Sequence, residues 1–282
     1  QWYKDSRLAN NIKFKGSDDS FWVFYELLTD NIGVVNDKEL SQLLAKLKSN
    51  NAKSAKANGK KEIKLNVAIY NNIISIEKQL ESTGILTESL KEILFNAKST
   101  FINYVNLRNK KPYKSRDELM AERISYLAKD PNNKIIVWAH NAHISKIVIV
   151  DNEIGLMGRD LEEEFGDDYH SIGLATLEGS YSFIEERFIN GDHDYSETLS
   201  QSDIQSIKIP LWENSLASYG SDFYVDFSTL KKELNTDEII GGMRLIGYGQ
   251  EKKTDTYWIH LMKAFDSLIF IKQTSATKPL RD

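Results

Sequence analysis

The chain of 282 residues contains no cysteine. Disulfides, thiolate chemistry and cysteine-built metal sites are therefore excluded. The compartment stays open, cytoplasmic or exported, because a large core needs no covalent staples. Gly 15 and Pro 4 fall well under the roughly 12% that these two residues make up in an average chain. Collagen-like and linker-dominated sequence is excluded, and long regular elements are favoured. A surplus of positive charge is missing as well: Lys+Arg 36 against Asp+Glu 41 leaves a net charge of -5. A duplex-binding protein needs at least a local basic excess, so nucleic acid is not an expected partner. No apolar run approaches about 18 residues and no basic-then-apolar leader opens the chain, so nothing in it reads as spanning a membrane.

What is present suits a folded chain. Hydrophobic residues make up 41% and charged residues 27%, enough apolar surface for one large domain or a domain with a substantial insert. Ile12–Phe14 reads as a short strand before a Gly-Ser-Asp turn, and Phe21–Leu28 as the opening of a helix capped by Asp19 or Ser20. Leu40, Leu43, Leu44 and Leu47 recur at helical spacing, as do Ile69, Ile73, Ile76 and Leu80. Lys53, Lys56, Lys60 and Lys61 lack interleaved aromatics and read as a solvated helix end or loop. A break at Ser82-Thr83-Gly84 precedes another helix, opened by Thr87 or by a Ser89/Glu92 capping box, with Leu90, Ile93, Leu94, Ala97, Phe101 and Val105 on its buried face. Ser115 and Glu118 have the same spacing at the head of a helix from Arg116 to about Leu127. Residues 35–108 thus read as a helical insert, and 1–34 with 109–282 as the remaining α/β domain.

Lys134–Trp138 is a short β-branched run, read as a strand covered on both faces, with Trp138 in the core. It runs into Ala139-His140-Asn141-Ala142-His143, where ligands sit in open α/β sheets. Further strands are expected at Tyr169–Thr176, Tyr181–Phe188, Ile207–Ile209, Phe223–Phe227 and Phe265–Lys272. A helix is expected from Leu156 to Phe165, a short helical turn over Ser215–Tyr219 and a polar loop at 190–205.

His140 and His143, three apart at a strand end, could supply a base and an electrophilic partner for hydrolysis, since imidazole exchanges protons near neutrality. Asn141 could orient a ring or a carbonyl. A metal site and a purely structural role are the alternatives. The metal reading lacks a local third ligand; Asp117, Glu153 and Asp226 are candidates that spacing does not single out. No Gly-x-Ser-x-Gly elbow, dinucleotide motif or P-loop is present. His170 and His260 read as packed, hydrogen-bonded rings, and His193 as an exposed one between two aspartates.

The blocks Arg116-Asp117-Glu118-Leu119-Met120-Ala121 and Val137-Trp138-Ala139-His140-Asn141-Ala142-His143 resemble the erythromycin esterase family, which includes proteins labelled succinoglycan biosynthesis proteins. The similarity continues through Gly158–Gly173, Arg244–Gly247 and Phe265–Ile271, and reaches back to Phe14–Asp18. It implies a three-layer α/β/α domain with a mixed central sheet and a helical side region. It also implies hydrolysis of a carboxylic ester or lactone by histidine-activated water, with no cofactor and no obligatory metal; studied members open macrolide lactones. His140 and His143 match the family's second active-site histidines. Arg116 and Asp117 match an Arg-Asp pair at a helix start, expected with Asn141 to bind substrate. The family's earlier Gly-Glu-x-x-His-Gly-like segment has no counterpart before Phe14. The expectation is a C-terminal portion of a longer enzyme, or a chain whose missing half is a separate piece, in both cases holding half of a site, and an isolated fragment would expose sheet edges. A metal-dependent hydrolase on the same histidines and a non-catalytic polysaccharide-associated protein are the rival readings.

Overall fold

The structure, a computed structural model, describes residues 12–17, 24–33, 36–149, 157–189, 192–207, 209–246 and 256–278. Two compact units divide the chain, residues 1–133 and residues 134–282. The caps proposed at Asp19 and Ser20 lie outside the described residues.

Helices α1 (Phe24–Ile32), α2 (Lys38–Ser54), α3 (Gly59–Ser82), α4 (Glu88–Arg108) and α5 (Arg116–Ala128) build the first unit. The periodic stripe of α3 decides its packing. Ile69, Ile73, Ile76 and Leu80 are fully buried against Leu40 and Leu47 of α2, Leu90, Leu94 and Phe101 of α4, and Phe24 and Leu28 of α1. Each such side chain contributes about 1.5–3 kcal/mol of burial. Phe24 and Phe101 meet edge to face with ring centroids 5.5 Å apart. Leu43 and Leu44 are only partly buried at the margin. Lys53, Lys56, Lys60 and Lys61 are exposed, as expected of a solvated connection.

The capping signals behave differently at the two proposed boxes. Ser115 and Glu118 form theirs: the serine hydroxyl accepts from the Glu118 amide at 3.1 Å, and the Glu118 carboxylate accepts from the Ser115 amide at 2.6 Å. Ser89 and Glu92 do not. Thr87 caps α4 through the Leu90 amide, Ser89 donates to Asn31 and Glu92 pairs with Lys15. Starting the helix at Thr87 leaves both side chains for longer-range partners. Ile12–Phe14 is not a strand: the segment is irregular and exposed, and no described strand pairs with it.

The second unit is an α/β fold. Its elements are α6 (Asn141–Ile144), α7 (Met157–Phe165), β1 (Ile172–Ile189), β2 (Asp192–Asp203), α8 (Trp212–Ala217), β3 (Asp222–Asp226), α9 (Phe227–Leu234), β4 (Ile240–Arg244), β5 (Thr256–His260), α10 (Leu261–Ala264) and β6 (Ser267–Thr274). The central sheet has the order β2-β1-β6-β3, and β4-β5 form a separate antiparallel pair. Within the sheet β1 and β6 run parallel while β2 and β3 join antiparallel, so the sheet is mixed. Alternation along the strands sends Ala175 and Leu177, Leu268 and Phe270, and Phe223 and Val225 to one face, into a core with Phe227, Met243, Ile259 and Phe265.

Three expectations are corrected here. The segments 169–176 and 181–188 belong to one strand, not two. Gly179, at φ +113, keeps the chain extended while its partner changes: Ile172–Gly179 pairs with β6, and Ser180–Ile189 with β2. A Cβ at Gly179 would come within 1.9 Å of the Thr274 carbonyl oxygen. The polar stretch read as a loop is largely β2, because ladder bonds are made by backbone and need no apolar side chain. Ile207 and Ile209 lie outside any strand, and Lys208 is not described.

The covered strand at 134–138 is the largest departure. Residues 134–139 form no ladder among the described residues, Ile136 is 93% exposed, and Trp138 is 88% exposed rather than in the core. β-branched composition favours extended backbone, but a strand exists only where another strand supplies partners. The pair β4-β5, with Gly241-Gly242 inside β4, carried no strand signal that the sequence reading used. No helix among the described residues is long and apolar enough to cross a membrane.

Candidate active site

The histidine block folds into α6, a single helical turn placed by its side chains. Asn141 is buried, and its amide serves Leu174 of β1 twice: Nδ2 donates to the Leu174 carbonyl at 2.6 Å, and Oδ1 accepts from the Leu174 amide at 2.9 Å. Downstream, the Ile144 carbonyl accepts from the Tyr169 and Ser171 hydroxyls, each at 2.7 Å. Burial pushes the Tyr169 hydroxyl up to about 12, so it remains a donor. Lys146 bridges Asp266 at 2.8 Å and Glu162 at 3.1 Å, and Asp266 in turn accepts from the Ser171 amide at 2.8 Å. Helix α7 approaches so closely that a Cβ on Gly158 would lie 2.4 Å from the Ile144 and Ser145 backbone, which no side chain allows.

His140 is the N-cap of α6, and its ring chemistry follows from its partners. Nδ1 lies 3.2 Å from the Ala142 backbone nitrogen, and Nε2 lies 3.0 Å from the Ile246 carbonyl oxygen. The Ala142 N–H can only donate, so Nδ1 is bare; the Ile246 carbonyl can only accept, so Nε2 carries the proton. Burial lowers the pKa of this imidazole below its ordinary value, and nearby His143 adds to the lowering. The Ile246 carbonyl works in the opposite direction. Protonating Nδ1 would set two N–H groups against each other. The ring is thus a neutral donor through Nε2.

A cavity of about 480 Å³ opens beside this ring. Leu174 and Thr176 of β1 and Ile269 and Ile271 of β6 line it, two registered cross-strand pairs on one sheet face. Trp138, Ala139, His140, Asn141 and Ile246 form another part of the wall, and Glu213 and Arg244 bring charge to it. His143, half-buried on α6, is not among the lining residues. The cavity therefore unites His140 and Asn141. Arg116 and Asp117 belong to the first unit, in the first turn of α5, where Asp117 is buried and Arg116 exposed.

Among the described residues, no three His, Asp or Glu side chains converge as a metal-binding group. Asp226 caps α9 through the Ser228 amide, and Glu153 lies outside the described residues. His170 bonds Ser267 with its ring exposed rather than packed, and His260 meets the Glu238 carbonyl. The side chain of His193 is not described. Sequence reasoning missed Glu213 altogether. It noted Arg244 only as part of a similar segment, and the available signal was a lone charged residue ending an apolar, glycine-containing stretch.

With this geometry in hand, three kinds of likeness agree. Residues 35–274 match the family model described as erythromycin esterase. Over 170 residues the chain is 25% identical to erythromycin esterase type II of Escherichia coli, covering 58% of this chain and 38% of that protein. The chain thus spans well under half the length of this curated relative. A solved succinoglycan biosynthesis protein superposes with a TM-score of 0.71 at 18% identity, over 97% of this chain and 69% of the other. A Bacillus cereus protein gives 0.63 at 21% identity, over 89% and 63% of the two chains. A mutant erythromycin esterase in its open conformation gives 0.52 at 16% identity, over 89% and 65%. These structural likenesses carry the α/β fold with its mixed sheet, and the family match carries the membership. A mixed-sheet α/β chain whose Trp-Ala-His-Asn-x-His block caps a helix beside a cavity, and which matches the family over most of its length, belongs to the erythromycin esterase family.

Proposed function

We propose that this protein works as a metal-independent hydrolase of a carboxylic ester or lactone, through water activated by histidine. The observation that carries the reading is the His140 ring at the wall of an apolar cavity, a neutral imidazole with its proton on Nε2. A donor of that kind stabilises the oxyanion that forms when water attacks an ester carbonyl, an effect commonly worth about 3–4 kcal/mol. To act, Nε2 exchanges the Ile246 carbonyl for the substrate oxygen. Nδ1, held by Ala142, is not placed to take a proton from water; that task falls to the histidine of the family's earlier motif. His143 donates to the leaving alcohol or steadies His140.

Asn141 keeps the His140 ring in position through its clasp on Leu174; its own role in substrate binding, and that of Arg116 and Asp117, is carried by the family resemblance. Residues 1–34 and 109–282 form the catalytic domain in this reading. The insert 35–108 contains α2 to α4. Small-molecule esters and lactones suit a cavity of this size, and a macrolide is one candidate among them.

The test is turnover of an ester and lactone panel by the longest form of the protein. His140→Ala should lower turnover at least about 10²-fold with the fold intact. Near-wild-type turnover removes His140 from the mechanism. Activity lost on exhaustive chelation and restored by stoichiometric zinc or manganese overturns metal independence.

A further inference from the structure

One end of the first unit carries charge out of keeping with the rest of the chain. Residues 46–64 cover the second half of α2, the turn after it and the start of α3. They hold seven lysines against one acid, Glu62, a local charge of +6 in a chain whose total is -5. Lys46, Lys53, Lys56, Lys60, Lys61 and Lys64 are exposed and form no ion pair among the described residues. Lys48, also exposed, lies over the Tyr25 ring, 6.0 Å from its centroid. Other lysines of the same unit are paired: Lys15 with Glu92, Lys91 with Glu88, Lys98 with Glu77 and Lys114 with Glu122. Glu62 does not neutralise the stretch from within, because its carboxylate accepts from the Tyr104 hydroxyl of α4 at 2.9 Å.

These placements work against folding. Lys60 and Lys61 lie in the first turn of α3, at the positive end of the helix dipole, and Lys60 and Lys64 stand four residues apart on one face. Asn58, the N-cap of α3, makes no side-chain bond to the first-turn amides. An anionic partner at this end of the helical hairpin relieves all of these strains together.

The residue types select the partner. Every cation of the stretch is a lysine, a compact point charge without the flat fork that arginine offers to a single phosphate or a base edge. No Phe, Tyr or Trp occurs between Lys46 and Lys64, so no ring is offered for stacking on bases. Leu47 is buried and Ile63 half-buried, which leaves small or polar neighbours and no large apolar side chain to insert into a bilayer. The lysines come from two helices and their turn, spread along about 12 Å of α2 alone, and so match an extended field of charge.

We infer that the α2–α3 end is an adsorption surface for an anionic phospholipid membrane, held by electrostatics without insertion. The binding is independent of the hydrolysis proposed above.

The test sediments the full chain with vesicles of phosphatidylcholine alone and of phosphatidylcholine containing about one third phosphatidylserine. The chain should partition onto the anionic vesicles at least about tenfold more strongly, and that excess should vanish as salt rises to about 0.5 M. Lys53→Gln, Lys56→Gln, Lys60→Gln and Lys61→Gln together should weaken the binding at least about 10²-fold. The same change at Lys111, Lys134, Lys231 and Lys232 should weaken it less than about threefold. Equal partitioning onto the two kinds of vesicle overturns the surface, as does an equal loss in the two variants. Soluble glycerophosphoserine at the same headgroup concentration should leave the chain on the vesicles; displacement assigns the site to a single headgroup and overturns the membrane surface. Tighter binding of heparin or single-stranded DNA than of the anionic vesicles overturns it as well. Should the hairpin variant not fold by circular dichroism, binding of the unmodified chain that persists at about 0.5 M salt overturns the proposal instead.

Discussion

The side-chain amide of Asn141 takes the place of a neighbouring strand for Leu174, satisfying both its N–H and its carbonyl. The start of α6 is thereby joined to β1, and His140, one residue earlier, inherits its position from that joint. Asn141→Ala leaves two backbone groups of a partly buried strand without partners. It should cost about 2–4 kcal/mol, read as a lowered urea midpoint, with the His140 ring resonances shifting in the same variant. An unchanged midpoint would mean that water replaces the amide freely.

The pH response of stability follows from the His140 ring. Its folded-state pKa lies below the ordinary 6.5 because the ring is buried. As pH falls through that value, the unfolded chain takes up a proton that the folded ring refuses. The stability contribution is therefore complete above the unfolded value and is lost as pH falls toward the folded one. Unfolding midpoints measured between about pH 5 and pH 8 should fall on the acid side, and His140→Gln should flatten that part of the curve. A His140 ring that titrates above 6.5 by NMR would contradict the assigned tautomer and its environment.

Trp138 offers a direct check on the segment before the histidines. At 88% exposed, its indole has almost no packing to lose. Trp138→Ser should change stability by less than about 0.5 kcal/mol, and should remove a red-shifted, iodide-quenchable part of the tryptophan emission. A loss of about 3 kcal/mol or more, typical of a core tryptophan, would restore the covered-strand reading.

Gly179 is the point at which β1 changes partners. Alanine there meets both a positive φ of +113 and a carbonyl oxygen 1.9 Å from the new Cβ. Gly179→Ala should destabilise the second unit by about 2 kcal/mol or more, visible as faster amide exchange on both sides of residue 179. Wild-type exchange would show that the strand crosses this point without the strained geometry.

Helices were readable because their bonds close within four residues. The stripe Ile69-Ile73-Ile76-Leu80 and the Ser115/Glu118 box carry their own geometry, and the structure reproduces both. The Ser89/Glu92 box failed because Thr87 caps the helix two residues earlier, which leaves Ser89 and Glu92 to meet Asn31 and Lys15. The histidine block was legible as a candidate site by residue type and spacing, and His140 does border a cavity. Which hydrogen bonds its ring would make was not, because Ile246 lies 106 residues away.

From the sequence alone came the helical stripes, the cap of α5, the α/β class and the family whose histidine block this chain shares. Tertiary structure alone decided whether an extended segment found partners: Lys134–Trp138 did not, while the polar stretch after Ile189 did, along β1. It also brought Glu213 and Arg244 together in the wall of the cavity that His140 lines. The reason is one of range. A helix satisfies its backbone from its own neighbours in the chain, whereas a strand, a buried charge or an imidazole takes its state from residues that only folding brings near.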